Sequence, residues 1–203
     1  MNRPHTLGSR LAASLLRRLG WTPMLDLCSA SGHAPKQVVA FAPHTHNDDF
    51  WIGLLWVWAC RVPVKFVAKQ ELFRGVMGTF MRAVGGLSLD RRQAGGNFVG
   101  AVADLIGQQT EIALAVAPEG RRAYTPHWKT GFYYMALQAG VPISVGVFDW
   151  GRKRVGIVGQ VTPTGHIEAD FAAIRALLSG VQGRVPAHQG PVEPRPTSIP
   201  AAA

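Results

Sequence analysis

From Gln37 to about Gly180, apolar runs of strand length alternate with amphipathic or apolar runs of helix length. Three of the short runs, "QVVAFA", "VPVKFVA" and "IALAVA", are almost continuously apolar. A strand that faces water on one side alternates apolar with polar residues; a strand with no polar alternation is covered on both faces. Strands of that kind, separated by helices, predict an α/β fold with a mostly parallel central sheet flanked by helices. Helices are expected over 50–60, 72–84, 97–107, 130–138 and 170–178. A short strand is expected at "LSLD". "PISVGVF" and "RVGIVGQV", joined by "DWGRK", read as a hairpin.

In such sheets chemistry collects beyond the carboxyl ends of the strands. Two polar clusters stand there. "HTHNDD", His44 to Asp49, follows the first apolar strand, and Glu119 to Arg122 follows "IALAVA". The first cluster admits several readings. As "H-x-H-x-D-H", it approaches the zinc-binding run of metallo-β-lactamase-like hydrolases, but Asp49 stands where that run has histidine, and His127 and His188 do not complete a ligand set. As a dyad, His44 and Asp49 have the spacing His-x4-Asp. Five residues on one helix are about 500° apart, so the two meet only if His44 lies in the loop and Asp49 in the first helical turn. Asn47 would then be the N-cap, and Asp49 would hold the imidazole in one tautomer. As a third reading, the cluster is a solvated strand-to-helix turn. In the second cluster, Gly120 permits a sharp turn, and Arg121 and Arg122 offer planar donors suited to phosphate.

The chain has 203 residues, with 21 Lys+Arg against 12 Asp+Glu, a net charge of +9. That balance attracts anionic partners. The aromatic residues lie within apolar runs rather than between basic residues, so nucleic acid is not the expected partner. Cys28 and Cys60 form no CxxC motif and read as free thiols of a reducing compartment. No run is long enough to span a bilayer. Leu7, Leu11, Leu15 and Leu19 recur every fourth residue, accompanied by Arg3, Arg10, Arg17 and Arg18. This segment is either an amphipathic helix on a membrane surface or a helix that packs on the core with its arginines in water. The Pro-, Ala- and Gly-rich end reads as a mobile tail. The expected organisation is an N-terminal amphipathic segment over 1–30, one catalytic domain over 31–182 and a flexible tail over 183–203.

Taken together, these clusters resemble the four sequence blocks of the lysophosphatidic acid acyltransferase family of glycerolipid acyltransferases. The first block, N-H-x-S-x-x-D or P-H-T-S-N-W-D, is matched by Pro43-His44-Thr45-His46-Asn47-Asp48-Asp49. The second is matched by "AKQELFRG" and "GGLSLDRR", with Lys69, Glu71, Gly86 and Arg91. The third, P-E-G-T-R, is matched by Pro118, Glu119, Gly120 and Arg122, with Arg121 in place of Thr. The fourth is matched by Val141-Pro142-Ile143. "WKTGFYYMA" is also similar to small bacterial members.

The resemblance implies a glycerolipid acyltransferase-like fold with an N-terminal amphipathic helix, and no cofactor or metal. It implies an acyl thioester donor, acyl-CoA or acyl carrier protein, and a lysophospholipid acceptor, foremost 1-acylglycerol-3-phosphate. His44 would be the general base, oriented by Asp49. Lys69, Arg91, Glu119, Gly120, Arg121 and Arg122 would place the acceptor, and the segment around Pro142 would shape the acyl or donor pocket. The expected location is peripheral, on the cytoplasmic side of a membrane. His46 in place of Ser and Arg121 in place of Thr leave a non-glycerol acceptor open, such as a lyso-ornithine lipid.

Overall fold

A computed structural model describes residues 6–25, 34–68, 70–88 and 97–196. Seven strands form one sheet: β1 (Thr22–Met24), β2 (Lys36–Ala42), β3 (Val64–Ala68), β4 (Gly86–Ser88), β5 (Ile112–Val116), β6 (Ile143–Asp149) and β7 (Arg154–Val161). Their order is β1-β7-β6-β2-β5-β3-β4. Among the described residues, only the β6–β7 pairing is antiparallel, as the hairpin reading required. The mostly parallel sheet expected from the sequence is the one observed. β1 was not foreseen: three residues are too few to display a period.

Among the described residues, six α-helices cover the sheet: α1 (Leu7–Arg18), α2 (Asp48–Cys60), α3 (Gly75–Ala83), α4 (Phe98–Gln108), α5 (Gly131–Ala139) and α6 (Ile167–Leu177). The central position of β2 explains why its sequence is apolar from Val38 to Ala42. Val38, Ala40 and Ala42 enter a core with Val102 and Ile106 of α4, Phe132 and Tyr133 of α5, and Phe171 and Ile174 of α6. Val39 and Phe41 enter a second core with Leu16 of α1 and Ile52 and Trp56 of α2. Successive side chains of a strand point to opposite faces, so a strand covered on both must be apolar at every position.

α1 buries Ser9, Ala12, Ala13 and Leu16, and lies close against α2. Its leucine stripe points the other way: Leu7, Leu11, Leu15 and Leu19 are all exposed, Leu7 by 75%. The helix therefore packs on the core through one face and presents leucines on another. Among the described residues, no helix is long and apolar enough to cross a membrane. Cys60, the last residue of α2, is disulfide-bonded rather than a free thiol. Spacing along the chain carries no information on which sulfurs meet in space; Cys28 lies outside the described residues.

The end of the chain differs from its reading as a tail. Residues 183–196 lie against the domain. The Val185 N–H donates to Thr45 Oγ1 at 3.2 Å, Arg184 pairs with Asp48, and Arg175 pairs with Glu193 at 2.7 Å. The Trp128 N–H donates to the Glu193 carbonyl at 2.8 Å, and the Arg195 N–H to the Trp128 carbonyl at 3.2 Å. A few backbone bonds and ion pairs hold this strap, so a composition of proline, alanine and glycine does not distinguish it from a free end.

Candidate active site

The chain leaves β2 at Ala42, passes a cis peptide bond to Pro43, and enters α2 at Asp48. Asp49, in the first helical turn, folds back over the loop it has just left. Its Oδ2 accepts the Thr45 N–H at 2.9 Å and the His46 N–H at 3.0 Å, and lies 3.1 Å from His44 Nδ1. Its Oδ1 accepts the Trp150 indole N–H at 2.7 Å. The side chain is fully buried. Four donors and the positive end of a helix offset the cost of burying this carboxyl. Asn47 stands at the N-cap position, but its side chain makes no capping bond and its backbone is already helical. The bonds that organise the turn come from Asp49 instead.

A carboxylate only accepts, so the Nδ1 that bonds it carries the proton. His44 Nε2 is then the lone-pair nitrogen, and it takes no hydrogen bond from the described residues. The side chain is 19% exposed, which leaves this nitrogen open to a reactant. The His44 backbone N–H donates to Glu119 Oε2 at 2.7 Å, joining the two polar clusters directly.

Glu119 arrives from the end of β5, the parallel neighbour of β2. It is buried, and burial pushes its carboxyl from 4.5 up to about 7, against the opposing pull of the His44 N–H. Gly120 has φ +70°, and a β-carbon there would stand 2.5 Å from Lys129 Nζ. The left-handed dihedral is what favours glycine there, since the lysine tip folded across it is flexible. The Lys129 N–H donates to the Pro118 carbonyl at 2.9 Å, closing the loop at its base. Arg121 gives one guanidinium N–H to the Tyr124 carbonyl at 2.6 Å. Arg122 is exposed and makes no ion pair or hydrogen bond among the described residues. A cavity of about 190 Å³ opens beside Glu119, lined also by Pro43, Trp128, Leu178, Gln189 and Val192.

Six of the residues singled out in the sequence thus stand beyond the carboxyl ends of the neighbouring strands β2 and β5, where Glu119 joins the two clusters: His44, Asp49, Glu119, Gly120, Arg121 and Arg122. Lys69 and Arg91 lie outside the described residues. Pro142 is not brought to this end. It immediately precedes β6, where Ile143 pairs with Val38, whereas Ala42, next to the site, pairs with Val147. Proline suits the beginning of a strand, where its missing N–H is not needed by the ladder. That placement sets Pro142 at the opposite end of β2 from His44. Trp150, Arg184 and Val185 were not foreseen. Nothing in a hairpin turn or a proline-rich end signals contact with a residue a hundred positions away. Among the described residues, no group of three or more His, Cys, Asp and Glu could hold a metal ion.

An imidazole whose open nitrogen is aimed by a buried carboxylate is an arrangement that can accept the proton of an attacking hydroxyl. A sequence model of the Acyltransferase family matches residues 30–146, more than half of the chain, and the protein belongs to that family. Its fold is that of the crystal structure of PlsC, the 1-acyl-sn-glycerophosphate (LPA) acyltransferase of Thermotoga maritima. The TM-score is 0.58 at 16% identity, over 85% of this chain and 76% of that one. No curated protein sequence matches the chain significantly.

Proposed function

We propose that the protein moves a fatty acyl group from a thioester, acyl-CoA or acyl carrier protein, to the hydroxyl of a lysophospholipid, foremost 1-acylglycerol-3-phosphate. The observation that carries this reading is the His44 Nδ1–Asp49 Oδ2 contact of 3.1 Å, with Nε2 left open at the strand ends that also bear Glu119 and Arg122. In the reaction, the acceptor oxygen attacks the thioester carbonyl while His44 Nε2 takes its proton. Asp49 stabilises the imidazolium so formed. The tetrahedral intermediate collapses, the carbon–sulfur bond breaks, and the leaving thiolate receives the proton from His44. Arg122, with Arg121 beside it, meets the acceptor phosphate. Glu119, uncharged in much of its population near neutral pH, receives or donates a hydrogen bond at a glycerol hydroxyl. The enzyme works as a peripheral protein on the cytoplasmic side of a membrane, with the exposed leucines of α1 among the acyl chains and Arg10, Arg17 and Arg18 near anionic headgroups.

A second acceptor class is favoured by one observation. Arg121, where the family pattern has Thr, turns a donor into its own loop and reshapes the surface that an acceptor headgroup would meet. A neutral or non-glycerol lysolipid, such as a lyso-ornithine lipid, then becomes the substrate. One experiment addresses both readings. Purified protein is offered a panel of phosphate-bearing and other lysolipids, with acyl-CoA and acyl carrier protein thioesters, and free thiol and acylated product are followed. Thiol release that depends on a lysophosphatidic acid supports the first reading, and dependence on a phosphate-free acceptor supports the second. Thiol release with no acylated lipid would make the protein a thioesterase and sink both.

A further inference from the structure

The Asp49 carboxylate has two oxygens, and the reading above uses only one. Oδ2 faces His44 and the two loop N–H groups. Oδ1 accepts the indole N–H of Trp150 at 2.7 Å, within the short range of hydrogen bonds to a charged acceptor. Trp150 lies in the turn after β6, 101 residues from Asp49 in the chain. A carboxylate can rotate about its Cβ–Cγ bond. A donor fixed on the far oxygen sets that rotation, and so the direction in which the near oxygen meets the imidazole.

The indole is itself held from several sides. Its backbone N–H donates to the Gln182 carbonyl at 2.8 Å. The ring meets Trp21 edge-on, with centroids 4.8 Å apart. Lys153 Nζ lies 4.3 Å and Arg184 Cζ 4.7 Å from its centroid. The turn beneath it is fixed by Asp149, fully buried, which accepts from Arg152 and Arg154. Burial raises the Asp149 carboxyl, but these bonds outweigh it and hold the group below the usual carboxylate range. The Arg184 that covers the ring also pairs with Asp48, and Val185 beside it bonds Thr45 within the catalytic loop.

We infer that Trp150 is a positioning residue of the reaction: held by the C-terminal strap, it aims the Asp49 carboxylate at His44 through its indole N–H. The inference rests on the acyl-transfer reading for its consequence in turnover, but not for the hydrogen bond itself. The strap thereby becomes part of the catalytic apparatus.

Trp150→Phe keeps a ring in the clamp and removes only the donor. Turnover of whichever thioester the wild-type protein uses should fall about tenfold at the level of kcat, in line with a lost hydrogen bond to a charged group, with KM for donor and acceptor changed less than about twofold. In an Asp49→Asn background, the same change should cost less than about twofold, because the residue acts through Asp49. An unaltered kcat would overturn the inference, as would a full tenfold loss that persists in the Asp49→Asn background. A second measurement leaves Trp150 in place. With ¹⁵N-labelled tryptophan, one of the six indole N–H signals should move far more than the others on Asp49→Asn. If no indole signal responds, the hydrogen bond is absent and the inference fails. Should the wild-type protein release no thiol from any thioester, the acyl-transfer reading fails, and the indole signals alone decide whether Trp150 holds Asp49.

Discussion

The loop from His44 to Asp49 and the loop from Glu119 to Arg122 stand side by side at the carboxyl ends of neighbouring strands, yet they are built on opposite principles. In the first, the carboxyl is buried and both of its oxygens are bonded, so the geometry exists before any substrate arrives. In the second, the backbone is closed by Lys129 and Pro118, but Arg122 stays in water. Chemistry gains from groups that need no reorganisation as charge develops. A headgroup that enters and leaves is better met by a solvated cation, whose desolvation is shared with the ligand. Glu119 is the seam between them: buried like the first loop, carried by the second.

The largest effect should come from removing the proposed base. His44→Ala should lower turnover by about 10²–10⁴-fold and the melting temperature modestly, since the ring is only 19% exposed and supplies one of the four donors to Asp49. Asp49→Asn should also depress kcat strongly and lower the melting temperature too, because the amide cannot accept all four donors. A fully active His44→Ala protein would show that the preformed loop is not the catalytic one.

Next in size is the seam. The Glu119 carboxyl is raised from 4.5 to about 7 by burial, so between those values the unfolded chain gives up its proton before the folded one does. The folded state then binds more protons, and stability falls as pH rises through that window, levelling off above pH 7. The full span corresponds to a contribution on the order of 3 kcal/mol. Glu119→Gln should abolish this slope, which urea unfolding at pH 5 and pH 8 would measure. An unchanged slope would locate the titration elsewhere.

In the solvated loop the effect should be on binding rather than on fold. Arg122→Ala should reduce kcat/KM for a phosphate-bearing lysolipid by roughly ten- to a hundredfold, with less loss on a neutral one and stability unchanged within about 0.5 kcal/mol. Equal losses on both acceptors would remove the phosphate assignment.

The smallest effects should come from His46 and from the outer face of α1. Residue 46 serves Asp49 through its backbone N–H, which His46→Ala preserves, so kcat should change less than about threefold. A loss as large as that of His44→Ala would transfer the role of base. Replacing Arg17 and Arg18 by Gln should weaken binding to anionic vesicles by about 1 kcal/mol per charge at low salt, and the difference should fade as salt is raised. Salt-insensitive sedimentation by both proteins would exclude the electrostatic part of membrane contact.

Much of this molecule was legible in its sequence because the responsible physics is local. A run such as "QVVAFA" admits a strand covered on two faces and little else, and Val39 and Val38 do enter opposite cores. The spacing His-x4-Asp restricts the dyad to a loop and a first helical turn, where both residues are found. Other features depend on which distant segments meet. Whether the leucine stripe of α1 faces the core or water turns on the alternative face of Ser9, Ala12, Ala13 and Leu16, which is the face α1 buries. Pro142 belongs to the fourth block of the family pattern, and the register of β6 on β2 sets it at the far end of β2 from His44. The bond from Trp150 to Asp49, and the strap that secures Trp150, join residues whose spacing has no period to read. Periodicity and turn chemistry express the energy of near neighbours along the chain; the far oxygen of Asp49 found its donor only when the sheet closed.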